Sequence, residues 1–200
     1  MTLDKYGTGQ DPYCFPDTAI LRNRFGIYDE QILAEAERAL SEVAAESIDF
    51  APPPYDLAYL QQIHSRLFSD LYDWAGELRT VDISKDDTHF CTTSRVVPEA
   101  DKLFKALAKA NWFQGLERAA LVAACAELFG DLNVVHPFRE GNGRAQRILF
   151  EHIVVNAGYE ISWWAVEPEE WLRANIDAVV CEYSALVRVF ERCIGRSIGS

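Results

Sequence analysis

Apolar residues recur along most of this chain at intervals of three and four, the period of an amphipathic helix. In residues 29–47, Ile32, Leu33, Ala36, Leu40 and Val43 keep that spacing, with acidic residues in the first turn, where they favour the helix dipole. The APPP run at 51–54 breaks the pattern, because consecutive prolines cannot continue a helix. From Asp56 a second helix is predicted to about Trp74, burying Leu57, Leu60, Ile63, Leu67 and Leu71, with Gly76 placed to end it. The period changes at 78–92. There Val81 and Ile83 alternate with polar neighbours and Asp86-Asp87-Thr88 supplies a turn, which predicts a short β-hairpin. Helical spacing resumes at 97–112, 117–135, 143–157, 167–181 and 182–194, and the closing RSIGS has no periodic pattern. With no internal repeat or linker, the expectation is one mostly α domain over residues 1–200, its core at about 6–194, carrying a small β-hairpin.

Composition narrows the function classes. No apolar run reaches the roughly 18 residues that span a bilayer, and the polar N-terminus has no leader pattern, so a cytoplasmic protein without membrane partners is expected. The five cysteines are scattered and form no CxxC pair, which argues against a disulfide framework or a zinc site. His89 and Cys91 form an H-x-C, but no matching second pair follows. A net charge of −12 disfavours a nucleic-acid surface. Arg139, Arg144 and Arg147 stand out against this acidity and suggest a small anionic ligand held in one pocket.

The chemistry concentrates between the helices 117–135 and 143–157. Pro137 forces the residue before it out of the helical region, so a glycine-rich loop, FREGNG, joins two anchored helices. In such a geometry the N–H groups of a loop and a helix N-terminus converge on an anion. Gly141 and Gly143 permit positive φ and a close approach of phosphate to the backbone. Arg144 and Arg147, three apart on one helix face, are suited to the β- and γ-phosphates. Glu140 offers a hard oxygen for Mg²⁺, Phe138 an apolar anchor, and His136 a side chain that titrates near neutrality and fits a general base.

The segment HPFREGNGRAQR at 136–147 resembles the signature of the Fic family, HPFx(D/E)GNGRxxR, at every fixed position. IHSRLFSDLYDWAGELR at 63–79 and GYEISWW at 158–164 are similar to the family's upstream and downstream segments. The resemblance implies a Fic-type helical domain with its active-site loop between two central helices and a hairpin "flap". It also implies a protein adenylyltransferase that moves AMP from ATP to a target's Tyr, Ser or Thr hydroxyl. His136 would be the catalytic base and Glu140 the Mg²⁺ ligand. Gly141, Asn142 and Gly143 would form the anion hole, with Arg144 on the β/γ-phosphates and Arg147 on the γ-phosphate. The flap, including Asp82, Ile83, Ser84 and Lys85, would register the target segment by strand addition. Kinases of the family carry lysine where this chain has Gly143, which favours AMP transfer here. The alternatives are a Fic-type kinase and a silent Fic module that binds nucleotide or a partner.

Many Fic proteins are restrained by a helix with the pattern (S/T)xxxE(G/N), whose glutamate pairs with the second motif arginine. Ser41–Glu46 and Ser94–Glu99 are each one residue too long for it. The resemblance therefore implies a bacterial toxin whose inhibitory helix lies on a small separate antitoxin that would contact Arg147. Its target would be the gyrase or topoisomerase IV ATPase subunits, as for similar short toxins. Elsewhere, His64 reads as a structural histidine and His152 as a surface or core one. Trp163, Trp164 and Trp171 read as core before adenine-stacking, and the acidic 29–47 helix as a solvated face on which a partner helix could dock.

Overall fold

The computed structural model describes residues 11–85 and 88–199; the first part of the expected core, 6–10, and the hairpin's Asp86 and Asp87 lie outside them. Seven helices and two small strand pairs follow one another: α1 (Glu30–Glu46), α2 (Leu57–Phe68), β1 (Ser84–Lys85), β2 (Thr88–His89), α3 (Thr93–Lys109), α4 (Arg118–Val135), α5 (Asn142–Asn156), β3 (Tyr159–Ile161), α6 (Pro168–Val179), α7 (Ser184–Cys193) and β4 (Ile194–Ser197). The fold is mostly α, as the periodicity predicts.

Helix α4 is the axis. It packs against α3, α5, α6 and α7, and its buried residues, from Leu121 and Val122 to Leu132 and Val135, lie all round it rather than on one stripe. A helix apolar on every side belongs inside a bundle. Its C-terminus, and the α5 N-terminus that follows, are therefore held by the core. On the far side α1 lies on α2, and α2 on α5.

Several features differ from the sequence reading. Helix α2 ends at Phe68, because Leu71, Tyr72 and Trp74 bury their side chains from a turn that closes at Gly76, where φ is +85°. Helix α3 begins at Thr93, ahead of Pro98, because the Asp82 carboxylate accepts from the Thr93 N–H at 2.7 Å and satisfies one of the orphan donors of its first turn. On α1 the inward stripe is Leu33, Glu37, Leu40, Ser41 and Ala44, while Ile32 and Val43 are exposed. The chain end also departs from expectation: β4 runs through Ser197 and pairs antiparallel with β3, Ile161 opposite Ile194. Buried Ile194 carries that strand, and neighbouring polar residues mask its pattern.

The hairpin at 78–92 forms. Ser84 pairs with His89 and Lys85 with Thr88. Its base is fixed to the bundle, because the Cys91 N–H donates to the Val134 carbonyl at 2.9 Å. All five cysteines are free thiols, and no helix of the described residues is long and apolar enough to cross a membrane.

Candidate active site

Pro137 ends α4, and His136 caps it in the left-handed region at φ 47°, ψ 64°, with its N–H still on the Leu132 carbonyl. A non-glycine residue there is held by its surroundings. The holder is Arg79, whose side chain is buried. Its guanidinium donates to the carbonyls of His136 (2.7 Å), Val135 (3.3 Å), Val81 (2.8 Å) and Cys91. Two of those carbonyls belong to the end of α4 and two to the flap, so a single cation joins both segments. The Arg79 N–H adds a bond to Pro137 at 2.9 Å. Burial lowers the Arg79 pKa, against the opposing pull of the Asp82 carboxylate 3.8 Å away.

The His136 ring has a defined tautomer. Its Nδ1 lies 3.1 Å from the Asn133 carbonyl, and a carbonyl only accepts, so Nδ1 carries the proton. In the neutral imidazole this puts the basic lone pair on Nε2, the nitrogen a general base uses. Phe90, just past β2, stacks on this imidazole at 3.8 Å. The flap thus covers one face of the ring.

Beyond His136 the loop is pinned from beneath. Phe138 is wholly buried and stacks on His64 at 3.9 Å, a contribution of about 2 kcal/mol holding an otherwise polar loop. His64 receives the Gly76 N–H at Nδ1 (2.8 Å), so its Nε2–H donates to the Glu140 carbonyl (2.9 Å). Burial pushes its pKa down to about 4 and keeps it neutral. His64 is the structural histidine the sequence suggests. His152 is also internal, beside Tyr59.

Asn142 spends its side chain on the loop. Its Oδ1 accepts from the Phe138 N–H at 2.9 Å, and its Nδ2 donates to the Phe138 carbonyl at 2.8 Å. What remains for a ligand is its backbone. Among the described residues the N–H groups of Asn142 and Gly143, at the first turn of α5, have no hydrogen bond. These are the orphan donors of a helix N-terminus, positioned for an anion. The two glycines differ in purpose. Gly141 sits at φ +78°, where a Cβ would fall 2.4 Å from the Phe68 ring, so packing demands glycine. A Cβ at Gly143 would meet nothing within 4 Å, so that position opens onto free space.

His136, Glu140, Asn142 and Gly143 share one cleft of about 420 Å³. Its other walls include Phe129 and Asn133 of α4 and Trp171, Leu172, Asn175 and Ile176 of α6, with Thr88 and Phe90 of the flap at the rim. An aromatic wall beside a polar end suits a nucleoside joined to phosphates. Sequence reasoning missed this α6 wall. Its signal was present in Leu172, Ile176 and Val180, which keep helical spacing yet are exposed. Trp171 lines the cleft, Trp163 donates to Glu151 at 2.7 Å, and Trp164 is 97% exposed, which removes it from the core.

The motif arginines part company. Arg139 is not at the pocket: it forms a buried pair with Asp11, Nε to carboxylate 2.6 Å, because a cation wholly inside the protein needs its own counter-charge. Arg144 and Arg147 line a neighbouring cavity of about 540 Å³ between α1 and α5. Arg144 is engaged by Glu37 and Ser41 of α1, so the acidic helix is more than a solvated face. Arg147 lies 5.9 Å over the Trp171 ring and has no hydrogen bond or ion pair among the described residues. Burial and then the Arg144 charge lower its pKa, against the opposing pull of the Glu151 carboxylate.

Glu140 is half-buried at the cleft, and no cluster of three or more His, Cys, Asp or Glu side chains able to hold a metal occurs among the described residues. That donor set fits Mg²⁺ arriving with a nucleotide, since the ion keeps waters and needs only one or two carboxylates beside phosphates. Of the flap candidates, Asp82 is turned to the α3 cap and Ile83 is buried, while Ser84 and Lys85 lie in β1.

Known proteins resemble this chain in sequence and fold. The sequence profile of the Fic/DOC family matches residues 54–154. Across 194 residues, 97% of both chains, the sequence is 38% identical to the "Probable protein adenylyltransferase Fic" of Escherichia coli (strain K12). It is 36% identical over 181 residues to the protein adenylyltransferase VbhT of Bartonella schoenbuchensis, covering 88% of this chain and 37% of that protein. The crystal structure of the N-terminal Fic domain of a VirB-translocated Bep effector protein from Bartonella quintana, with bound ADP, superposes with a TM-score of 0.85 at 30% identity, covering 94% of this chain and 95% of that one. Sequence along nearly the whole chain and backbone geometry converge on one assignment: this chain belongs to the Fic/DOC family.

Proposed function

We propose that the chain transfers AMP from ATP to a hydroxyl side chain of a target protein, with His136 as the base. The observation that supports this most directly is the convergence on one cleft of the His136 imidazole, its Nδ1 turned to the Asn133 carbonyl, and the N–H groups of Asn142 and Gly143 at the α5 N-terminus. His136 Nε2 takes the proton of a Tyr, Ser or Thr hydroxyl. The oxygen attacks the α-phosphorus, the bond from that phosphorus to the α–β bridging oxygen breaks, and pyrophosphate leaves. Negative charge that builds on the phosphate oxygens meets the α5 N-terminus in a site already arranged for it. The nucleoside lies along α6 near Trp171 and Asn175, and the chain of phosphates runs toward Arg144 and Arg147. Glu140 would hold the Mg²⁺ that accompanies the phosphates, which when bound would neutralise their charge. The flap edge, Ser84 and Lys85, registers the target strand. The enzyme class is that named for relatives 36–38% identical to this chain.

The test uses ATP labelled at the α- or the γ-phosphate, Mg²⁺ and bacterial lysate. Protein labelled from the α- but not the γ-position, and lost in His136→Ala, is expected. Label from the γ-position would make the chain a kinase.

The unpaired Arg147 supports a further part of the same reading, a toxin silenced by a small antitoxin helix of the pattern (S/T)xxxE(G/N). Its glutamate takes the place of the γ-phosphate. A peptide of that pattern should inhibit the wild type and not Arg147→Ala; equal inhibition of both would refute it. By family resemblance the target is a gyrase or topoisomerase IV ATPase subunit. Purified subunits that stay unlabelled would refute that.

A further inference from the structure

We propose that Glu37 and Ser41 of α1 are positioning residues that hold Arg144 as a preset fork for the β- and γ-phosphates, an inference resting on the nucleotide reading above. It begins with an anomaly in the sequence pattern. Glu37 and Ser41 sit on the inward stripe of α1, between Leu33 and Ala44, where an apolar helix face would carry Leu or Ala. Ser41 is 2% exposed. Polar groups on a buried stripe need partners, and both find the same one.

Arg144 donates from Nη1 to the Ser41 hydroxyl at 2.9 Å and to the Glu37 backbone carbonyl at 3.4 Å, and from Nη2 to the Glu37 carboxylate. Its face rests 4.8 Å over the Phe68 ring. The partners are themselves fixed. The Ser41 hydroxyl gives its proton to the Arg38 carbonyl at 3.1 Å, which leaves its lone pairs for Arg144. The second carboxylate oxygen of Glu37 accepts from the hydroxyl of Tyr72, a core residue 1% exposed. The guanidinium is thus held through α1 back to the core.

A guanidinium has five N–H donors. Three are taken by α1, and the two left, on Nε and Nη2, are adjacent and form the side-on fork that grips a phosphate through two parallel bonds. Arg147, one turn further along α5, has no such tether, so the two arginines differ in kind. Arg144 arrives ordered and loses little freedom when nucleotide binds.

The charge-neutral variants isolate the effect, since they leave the Glu37 carboxylate in place. Ser41→Ala and Tyr72→Phe should each weaken ATP and ADP binding by about fivefold, the equivalent of one hydrogen bond. AMP, which lacks the β- and γ-phosphates, should bind unchanged, and Ser41→Thr should restore ATP affinity. The measurement is calorimetric titration of the purified full chain with ATP, ADP and AMP in Mg²⁺, with thermal melting alongside. Unchanged or tighter ATP binding in both variants, whatever their melting temperatures, overturns the inference, as does an equal loss for AMP. A wild type that binds ATP but transfers nothing would instead refute the proposed activity and leave this inference standing.

Discussion

Arg79→Lys tests how the fold sets the catalytic geometry. The guanidinium of Arg79 satisfies four carbonyls from two directions, and its side chain is wholly buried. At about 1 kcal/mol per buried hydrogen bond, the four together are worth on the order of 4 kcal/mol. Lysine keeps the charge but offers three donors from one point, so it can serve about half of them. The expected loss of stability is about 2 kcal/mol, read by urea denaturation. The loss of turnover should be larger than that figure suggests. The carbonyls released include that of His136, whose left-handed backbone aims the imidazole, and a misplacement near 1 Å can lower kcat about 100-fold. The walls along α4 and α6 are untouched, so affinity for AMP should stay within about twofold of wild type. Hydrogen exchange should rise together in the flap and at the end of α4. If Arg79→Lys keeps wild-type kcat, or if AMP binding collapses in step with it, the tether is not what positions His136.

Gly141→Ala should be destabilised by about 2–4 kcal/mol, from the left-handed backbone and the clash with Phe68, whereas Gly143→Ala should fold as wild type and bind ATP less well. Equal melting temperatures for Gly141→Ala and wild type would contradict the packing argument. His64 makes stability depend on acid. Its folded pKa of about 4 lies below the ordinary 6.5, so the unfolded state binds the proton first, and its contribution, complete above pH 6.5, is lost as pH falls toward 4. The slope approaches 1.4 kcal/mol per pH unit and the total about 3 kcal/mol. Denaturation of wild type and His64→Gln at pH 7 and pH 4.5 should converge on acidification; a constant gap would refute it.

Much of this was legible in the residues. The helices follow from 3.6-residue spacing, and the loop from Pro137 and two glycines. What escaped notice has definite physical causes. Gly141 looks like a phosphate glycine, yet its partner is Phe68, seventy-three residues earlier, and no local pattern reports that contact. Arg139 reads as a ligand cation in sequence, but Asp11 claims it across the fold. On helix α1 the spacing points Ile32 and Val43 inward, but both are exposed, and Glu37 and Ser41 take the inner face because Arg144 lies there. The β3–β4 pair is too short for periodicity to report. Residues that serve a site break the local rule, and such breaks are where sequence reading fails for functional reasons.

The central claim is that the imidazole of His136 drives the transfer of AMP rather than phosphate. Peptide mass spectrometry of a target protein, incubated with ATP and Mg²⁺ and either the wild-type chain or His136→Ala, tests it most directly. The wild type should add the mass of one AMP group to a Tyr, Ser or Thr, and His136→Ala should add nothing while binding ATP normally. A mass gain equal to a phosphate group, or an AMP adduct that persists in His136→Ala, would contradict the account.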